Sequence, residues 1–126
     1  MEISKDHQTV MPYLMLEGAE KFIEFTKTVF DAELLNTHAQ PDGTGIRHAE
    51  VRIGGSTIMF TDCTDKWPRQ TANMFVYVEN ADETFKLALQ NGATEIMPPA
   101  DQDYGRSCGV KDTTENTWWI TSVLKK

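Results

Sequence analysis

The sequence has few of the features that mark specialised classes of protein. Its two cysteines, Cys63 and Cys108, lie far apart without C-x-x-C spacing, so we expect neither a disulfide framework nor a zinc knuckle. No apolar run is long enough to span a bilayer, and residues 1–10 lack the apolar segment of a signal peptide. We therefore expect no membrane partner and a cytoplasmic location.

Positive charge is also scarce. Lys and Arg number 12 against 19 Asp and Glu, so the net charge is −7. An acidic chain repels phosphate backbones, so nucleic acid is not an expected partner, whereas a cationic small molecule would be attracted. No glycine loop for binding phosphate is present, because the glycines near residues 43–45 and 54–55 serve turns.

The most informative stretch is residues 45–62, whose pattern predicts a β-hairpin. Alternation places His48, Glu50 and Arg52 on one face of its first strand. Gly54-Gly55 is a two-residue turn signal, because glycine adopts positive φ without steric cost. A polar row beside an apolar row is typical of a strand that lines a pocket.

Other strands are predicted at residues 10–16, 33–39, 73–79, 94–97, 104–111 and 117–123. The strand at residue 94 is expected to be broken by Pro98-Pro99. Residues 1–8 are polar and expected to be frayed, and His7 and His38 are expected to face solvent. Residues 63–71 show no periodic pattern and are interpreted as a linker.

Two helices are predicted from apolar residues at helical spacing. The first follows Gly18 and ends at Asp31-Ala32. The second has Asn80 as its N-cap, with Glu83 three residues later as the capping-box carboxylate, and Asn91-Gly92 as its end. Its expected buried stripe is Phe85, Ala88 and Leu89.

The two halves of the chain resemble each other. Residues 16–20 (LEGAE) match residues 78–82 (VENAD), and residues 58–61 (IMFT) resemble residues 118–121 (WWIT). We therefore predict one α+β domain over residues 1–126, built from two tandem βαβββ modules at about residues 9–62 and 72–124, joined by a linker at 63–71. The modules are expected to form a cupped mixed β-sheet with the helices outside.

Three short motifs accompany this order of elements. They are His48-Ala49-Glu50 before Ile53-Gly54, Tyr104-Gly105-Arg106, and Asp112 followed by Trp118-Trp119. Together they resemble the vicinal oxygen chelate superfamily, which includes glyoxalase I, bleomycin-resistance and fosfomycin-resistance proteins and extradiol dioxygenases, and within it the glyoxalase-like, PhnB-like subgroup. The Pro, Phe and Gly that usually follow the aspartate in that subgroup are replaced here, which leaves the shape of the turn open.

The resemblance also indicates where a metal would bind. Metal-dependent members take four ligands from equivalent strands, and the corresponding positions here are Met11, Glu50, Asn73 and Trp119. Only Glu50 is a competent ligand for a divalent ion. His48 shares its face, but two ligands do not make a tight site, so we expect no metal and no cofactor.

The expected ligand-binding residues form an apolar groove with polar points, closed at one end by residues 104–106: Tyr13, Met15, His48, Glu50, Asn73, Phe75, Tyr77, Tyr104, Arg106 and Trp119. Trp118 and Trp119 are expected to point to opposite faces. No catalytic residue is assigned. Glu50 is a candidate general base, but we favour its interpretation as an ion-paired carboxylate held by His48, Arg52 or Arg106.

The residues and the resemblance together imply a metal-free protein similar to bleomycin-resistance proteins. We expect it to be a homodimer that binds a small organic, cationic or aromatic molecule without an assigned catalytic activity. The alternative is a metal-dependent lyase, isomerase or dioxygenase of the same superfamily that uses Glu50 as a ligand or base. A third possibility is that side chains fill the groove and the protein acts through its surface.

Overall fold

The computed structural model describes residues 1–124, which divide into two compact units, Met1–Thr71 and a second unit that begins at Ala72. The first unit contains β1 (Tyr13–Leu16), α1 (Ala19–Phe30), β2 (Glu33–Ala39), β3 (Ile46–Ile53) and β4 (Ser56–Asp62). The second contains β5 (Asn73–Tyr77), α2 (Ala81–Gln90), β6 (Thr94–Gln102), β7 (Gly105–Lys111) and β8 (Thr117–Ser122).

The two units share one topology. The first sheet has the strand order β1-β4-β3-β2, and the second has the order β5-β8-β7-β6. In each sheet the first strand pairs in parallel with the last, and the remaining pairs are antiparallel. The predicted pair of βαβββ modules is therefore confirmed, as two mixed four-stranded sheets that each carry one helix.

The first helix forms where the sequence predicts it. Its buried residues recur at helical spacing and pack against β2, β3 and β4, with Phe22 fully buried beside Phe60 at a ring-centroid distance of 4.8 Å. Gly18 has no side chain to cap the helix, so Asp62 on β4 accepts the Ala19 N–H at 2.7 Å instead. Asp31, at a φ of 55°, ends the helix.

The second helix confirms its predicted cap but not all of its predicted stripe. The Asn80 side chain accepts the Glu83 N–H at 3.1 Å. Ala81, Phe85 and Ala88 are buried, whereas Leu89 is 36% exposed. The prediction for Leu89 is wrong because a ten-residue helix buries a narrow stripe against its sheet, and Leu89 lies beyond the row that Ala81, Phe85 and Ala88 define.

The predicted break at Pro98-Pro99 is also wrong. The strand β6 runs through both prolines to Gln102, with irregular register against β7 between Met97 and Ala100. The reason is its position, since β6 is an edge strand and proline's missing N–H is tolerated at an edge or a bulge. The strands β1 and β5 are shorter than predicted, and β1 begins only after Pro12. Within residues 1–124, neither helix is long and apolar enough to cross a membrane.

Candidate functional site

Glu50 lies on the face of the first sheet that points away from α1. Its neighbours Ala49 and Val51 are fully buried on the helix side. Across the sheet Glu50 pairs with Asn36 on β2 and Met59 on β4, and Met59 in turn pairs with Tyr13 on β1. Because side chains at paired positions share a face, the strand register brings Tyr13 towards the residues of β3.

A continuous hydrogen-bond network runs through this face, which we call the Glu50 cluster (His7, Tyr13, His48 and Glu50). His7 Nε2 and His48 Nε2 lie 2.8 Å from Oε1 and Oε2 of Glu50, respectively. Since a carboxylate only accepts, each Nε2 carries the donated proton. The other nitrogen of His48, Nδ1, lies 3.2 Å from the Tyr13 hydroxyl, which donates to it when the imidazole is neutral.

The network decides the charge of Glu50, which is only 5% exposed. Burial acts to raise its pKa, but the hydrogen bonds from His48 and His7, the charge of His7 and a hydrogen bond from Asn36 outweigh burial and lower the pKa. A carboxylate held ionised in this way is a weak base, so the cluster is better suited to positioning Tyr13 and His48 than to abstracting a proton through Glu50. Asn36 also has a buried oxygen, Oδ1, without a hydrogen-bond partner among the described residues.

The expectation of fraying is wrong for residues 6–8, and so is the expectation that His7 faces solvent. In addition to the contact of His7 with Glu50, the Asp6 carboxylate accepts a hydrogen bond from Arg52 at 2.7 Å. The Asp6 carbonyl accepts a hydrogen bond from the Thr57 hydroxyl. Gln8 donates to the Thr57 carbonyl at 3.0 Å and accepts the Thr57 N–H at 3.2 Å. These partners lie more than forty positions along the chain, where no local pattern reveals them. Arg52 thus pairs with Asp6 and Glu33 rather than with Glu50.

A cleft of about 530 Å³ also opens in the first unit, beside Tyr13 of the Glu50 cluster. It lies where the segment after β4 returns to β1, since Met15 and Gln70 exchange backbone hydrogen bonds of 3.1 and 2.9 Å. Two residues from the predicted site, Tyr13 and Met15, line it. Sequence reasoning missed the other lining residues, which come from loops and strand ends without periodicity: Gln40, Arg47, Thr61, Asp62, Thr64 and Trp67.

The second unit gathers most of the predicted aromatic residues. The aromatic face (Asn73, Phe75, Tyr77, Tyr104 and Trp119) combines alternate residues of β5 with a β8 residue and the turn before β7. The strand register brings these side chains together, because it pairs Phe75 of β5 with Trp119 of β8. The ring centroid of Phe75 lies 5.1 Å from that of Tyr77 and 6.2 Å from that of Tyr104. Exposure of these three side chains is 50%, 63% and 57%, respectively.

Trp119 is held in place from two sides. Its indole lies against Gly109 of β7, where an added Cβ would come within 2.5 Å of the ring carbon Cζ3. Its Nε1 donates to Asn73 Oδ1 at 3.2 Å. Trp118 points the opposite way, is 1% exposed, and donates to Asp112 Oδ2 at 2.7 Å. The predicted alternation of the two tryptophans is therefore observed.

Arg106 does not lie with the aromatic face. It belongs to β7, makes two bonds of 2.6 and 3.0 Å to Asp82 on α2, and makes a third of 3.0 Å to Asp101 on β6. The hydrogen bond from Arg106 is the main cause that lowers the pKa of Asp82. Cys108 nearby is buried, and burial, followed by the charge of Asp82, raises its pKa to about 11, so its thiolate is not available as a nucleophile at neutral pH.

The four positions that correspond to metal ligands do not fit a divalent ion. Both Glu50 oxygens already accept imidazole N–H groups. The Asn73 oxygen accepts the indole N–H of Trp119, and an indole nitrogen carries only a donor. Met11 offers a thioether, a soft ligand. Within residues 1–124, no group of three or more His, Cys, Asp or Glu side chains is placed to hold a metal.

Comparison with known proteins agrees with this architecture. The model of the Glyoxalase/Bleomycin resistance protein/Dioxygenase superfamily matches residues 9–120. An uncharacterized protein of Mycobacterium bovis is 34% identical over 110 residues, which cover 79% of this chain and 72% of the relative. The match to an uncharacterized protein of Mycobacterium tuberculosis spans 64% of that protein's length.

Two solved structures share the fold at low sequence identity. The PhnB protein from Bacillus cereus has a TM-score of 0.70 at 19% identity, over 92% of this chain and 100% of that one. TnmS3, an antibiotic binding protein from Streptomyces, has a TM-score of 0.72 at 18% identity, over 98% of this chain and 99% of the other.

Proposed function

This chain belongs to the Glyoxalase/Bleomycin resistance protein/Dioxygenase superfamily, and on that premise we propose that it binds a small organic molecule with a planar aromatic or cationic group, without a metal. The observation that carries the proposal is the aromatic face of the second unit. Three of its rings are at least half exposed although each has an aromatic neighbour within about 6 Å. Large exposed apolar clusters of this kind usually mark an interaction site.

The face is suited to a flat ligand because its rings are already ordered. Trp119 is held by Gly109 beneath it and by Asn73 at its edge, and Phe75 is in ring contact with Tyr77 and Tyr104. A ligand that stacks on ordered rings loses little side-chain entropy on binding. Aromatic faces also attract cations, by about 0.5–2 kcal/mol per contact, and the net charge of −7 favours a positive ligand.

The relatives support the same class of ligand. The family description includes bleomycin resistance proteins, and one structural neighbour is described as an antibiotic binding protein. We propose a similar sequestering role here, with a second copy of the chain as partner in a homodimer. The ligand's identity follows from experiment rather than from the fold, because one fold serves many ligands.

The first experiment is native mass spectrometry of the purified chain, followed by titration with bleomycin and with N-methylacridinium, a flat aromatic cation. An organic mass carried through purification, or binding of either probe, supports the proposal. At a probe concentration of 100 times Kd, binding should stabilise the fold by about 2.7 kcal/mol, which is a rise of several degrees in melting temperature.

The decisive variant is Tyr77→Ala, since Tyr77 is the most exposed ring of the aromatic face and its loss should leave the fold intact. We expect about tenfold weaker binding of N-methylacridinium. Leu89→Ala, a truncation of an exposed apolar side chain on α2, is the matched control and should bind normally. If neither probe binds, or if Tyr77→Ala binds as well as Leu89→Ala, the proposal is wrong. If a substitution in the aromatic face converts a dimer into a monomer without changing the affinity for the probe, the face is instead the contact with a second copy of the chain.

A further inference from the structure

A second site lies in the first unit, in the cleft lined by Tyr13, Met15 and Arg47. Its volume of about 530 Å³ falls within the range of small-molecule pockets, about 300–1,000 Å³. The residues of the aromatic face belong to the second unit, so the cleft requires its own explanation.

The charge balance of the cleft is set by two residues. Asp62 lines the cleft, but both of its oxygens are already bound: Oδ1 accepts the Ala19 N–H at 2.7 Å, and Oδ2 accepts the Ile46 N–H at 2.7 Å. One of these donors is the first N–H of α1, where the positive end of the helix dipole offsets a carboxylate. Both oxygens of Asp62 are therefore already used as hydrogen-bond acceptors within the fold.

Arg47 is in the opposite situation. The other three arginines are ion-paired: Arg52 with Asp6 and Glu33, Arg69 with Glu17, and Arg106 with Asp82 and Asp101. Among the described residues, Arg47 is the arginine without a carboxylate partner, and it lines the cleft. In a chain with 19 acidic residues, an unpaired guanidinium beside a cavity is placed to bind an anion supplied from outside.

The remaining walls of the cleft suit the organic part of such a ligand. Tyr13 and Trp67 supply aromatic surface, and Met15 supplies an adaptable apolar contact. The side-chain amide of Gln40 adds a hydrogen-bond donor. Lys66 Nζ lies 5.6 Å from the Trp67 ring centroid, which places a second positive charge near the same wall.

We propose that this cleft is a binding site for a flat organic oxyanion, an aryl carboxylate, whose charged group pairs with Arg47 while its ring lies between Tyr13 and Trp67. Guanidinium and carboxylate match in geometry, since two parallel N–H groups meet two oxygens. This site goes beyond the proposed function, because it lies in a different unit and selects the opposite charge.

The test uses four naphthalene probes of one size: 2-naphthoate, 2-naphthyl phosphate, neutral 2-naphthol and the cation 2-naphthylmethylammonium. Binding is followed by calorimetry and by the indole N–H resonance of Trp67 in a ¹H–¹⁵N spectrum, assigned with Trp67→Phe. We expect 2-naphthoate to bind and to shift the Trp67 resonance, and the cation to leave that resonance in place. If 2-naphthyl phosphate binds more strongly than 2-naphthoate, the cleft is still an oxyanion site, but its ligand is a phosphate ester. Titration with inorganic phosphate alone would show whether the ring is needed.

Two arginine variants separate a specific contact from a change in net charge. Arg47→Gln should weaken binding of 2-naphthoate at least about tenfold, the usual effect of losing a charge-assisted hydrogen bond. Arg69→Gln removes the same charge outside the cleft and should bind normally. Equal weakening in both variants, unchanged binding in Arg47→Gln, tighter binding of the cation, or no binding of either anion would each overturn the proposal. Tyr77→Ala should leave 2-naphthoate binding unchanged, so this proposal and the proposed function can fail independently.

Discussion

Replacing Glu50 with glutamine tests the Glu50 cluster directly. Glutamine keeps the shape of the side chain but removes its charge and one of its two acceptor atoms. In the wild type each carboxylate oxygen accepts one imidazole N–H at 2.8 Å. Hydrogen bonds to a charged group contribute about 1.5–3 kcal/mol, against about 0.5–1.5 kcal/mol for neutral ones. One bond is therefore weakened and the other loses its acceptor, which together predict a loss of about 2–3 kcal/mol in the free energy of unfolding near pH 7.

The same substitution has a predicted pH dependence. The pKa of Glu50 is lowered in the folded chain from its ordinary value of 4.5. A carboxyl group with a lowered folded pKa stabilises the fold fully above its unfolded pKa, and that contribution is lost as the pH falls through the folded pKa. The difference between wild type and Glu50→Gln should therefore shrink as the pH falls below 4.5.

Urea unfolding followed by circular dichroism from pH 3.5 to 8 measures both effects. Glu33→Gln is the matched control, because Glu33 pairs with Arg52 but is largely exposed, and it should change stability by less than about 0.5 kcal/mol. Hydrogen exchange should show faster exchange in residues 6–8 of Glu50→Gln alone, since His7 loses its charged partner. The reasoning is refuted if Glu50→Gln is as stable as wild type at pH 7, or if the difference persists unchanged at pH 3.5.

Three further predictions concern the second unit. Asp112→Ala should destabilise the fold by about 4 kcal/mol, because the buried carboxylate of Asp112 accepts four hydrogen bonds. The control is Asp42→Ala, which removes an exposed aspartate from a similar turn. It should leave the midpoint of urea unfolding nearly unchanged. Gly109→Ala should displace the Trp119 indole, lower stability by about 1–3 kcal/mol and abolish binding of N-methylacridinium, with melting curves and titration as the measurements. Cys108, whose pKa is raised to about 11, should stay unlabelled by a thiol reagent at pH 8 in the native chain and become labelled in urea.

Local patterns in the sequence predicted the elements of the fold well. The alternation in residues 45–62 predicted the hairpin of β3 and β4, and the spacing of Phe22, Phe25 and Val29 predicted α1. The repeat between the halves predicted that both units share one topology. These features are determined by contacts between residues near each other in the chain, or by a pattern that occurs twice.

The errors have a common physical cause. Leu89 and the two prolines of β6 were misassigned because their environment depends on where an element sits in its sheet. A helix at the surface buries a narrower stripe than its hydrophobic pattern suggests, and an edge strand accepts residues that a central strand rejects. Sequence position alone does not reveal which strand is at the edge.

The candidate site shows the same difference between features that local sequence predicts and features that depend on distant contacts. The sequence by itself determined that Glu50 and His48 share a face, that Trp118 and Trp119 point apart, and that Asn80 begins a helix, because each follows from strand or helix period. Only the tertiary structure decided that His7 completes the Glu50 cluster, that Arg106 pairs with α2, and that Arg47, beside a cleft, has no carboxylate partner within residues 1–124. These are contacts between residues separated by up to 43 positions, and which partner a charged side chain meets at that range depends on the folded register of the sheets rather than on the local sequence.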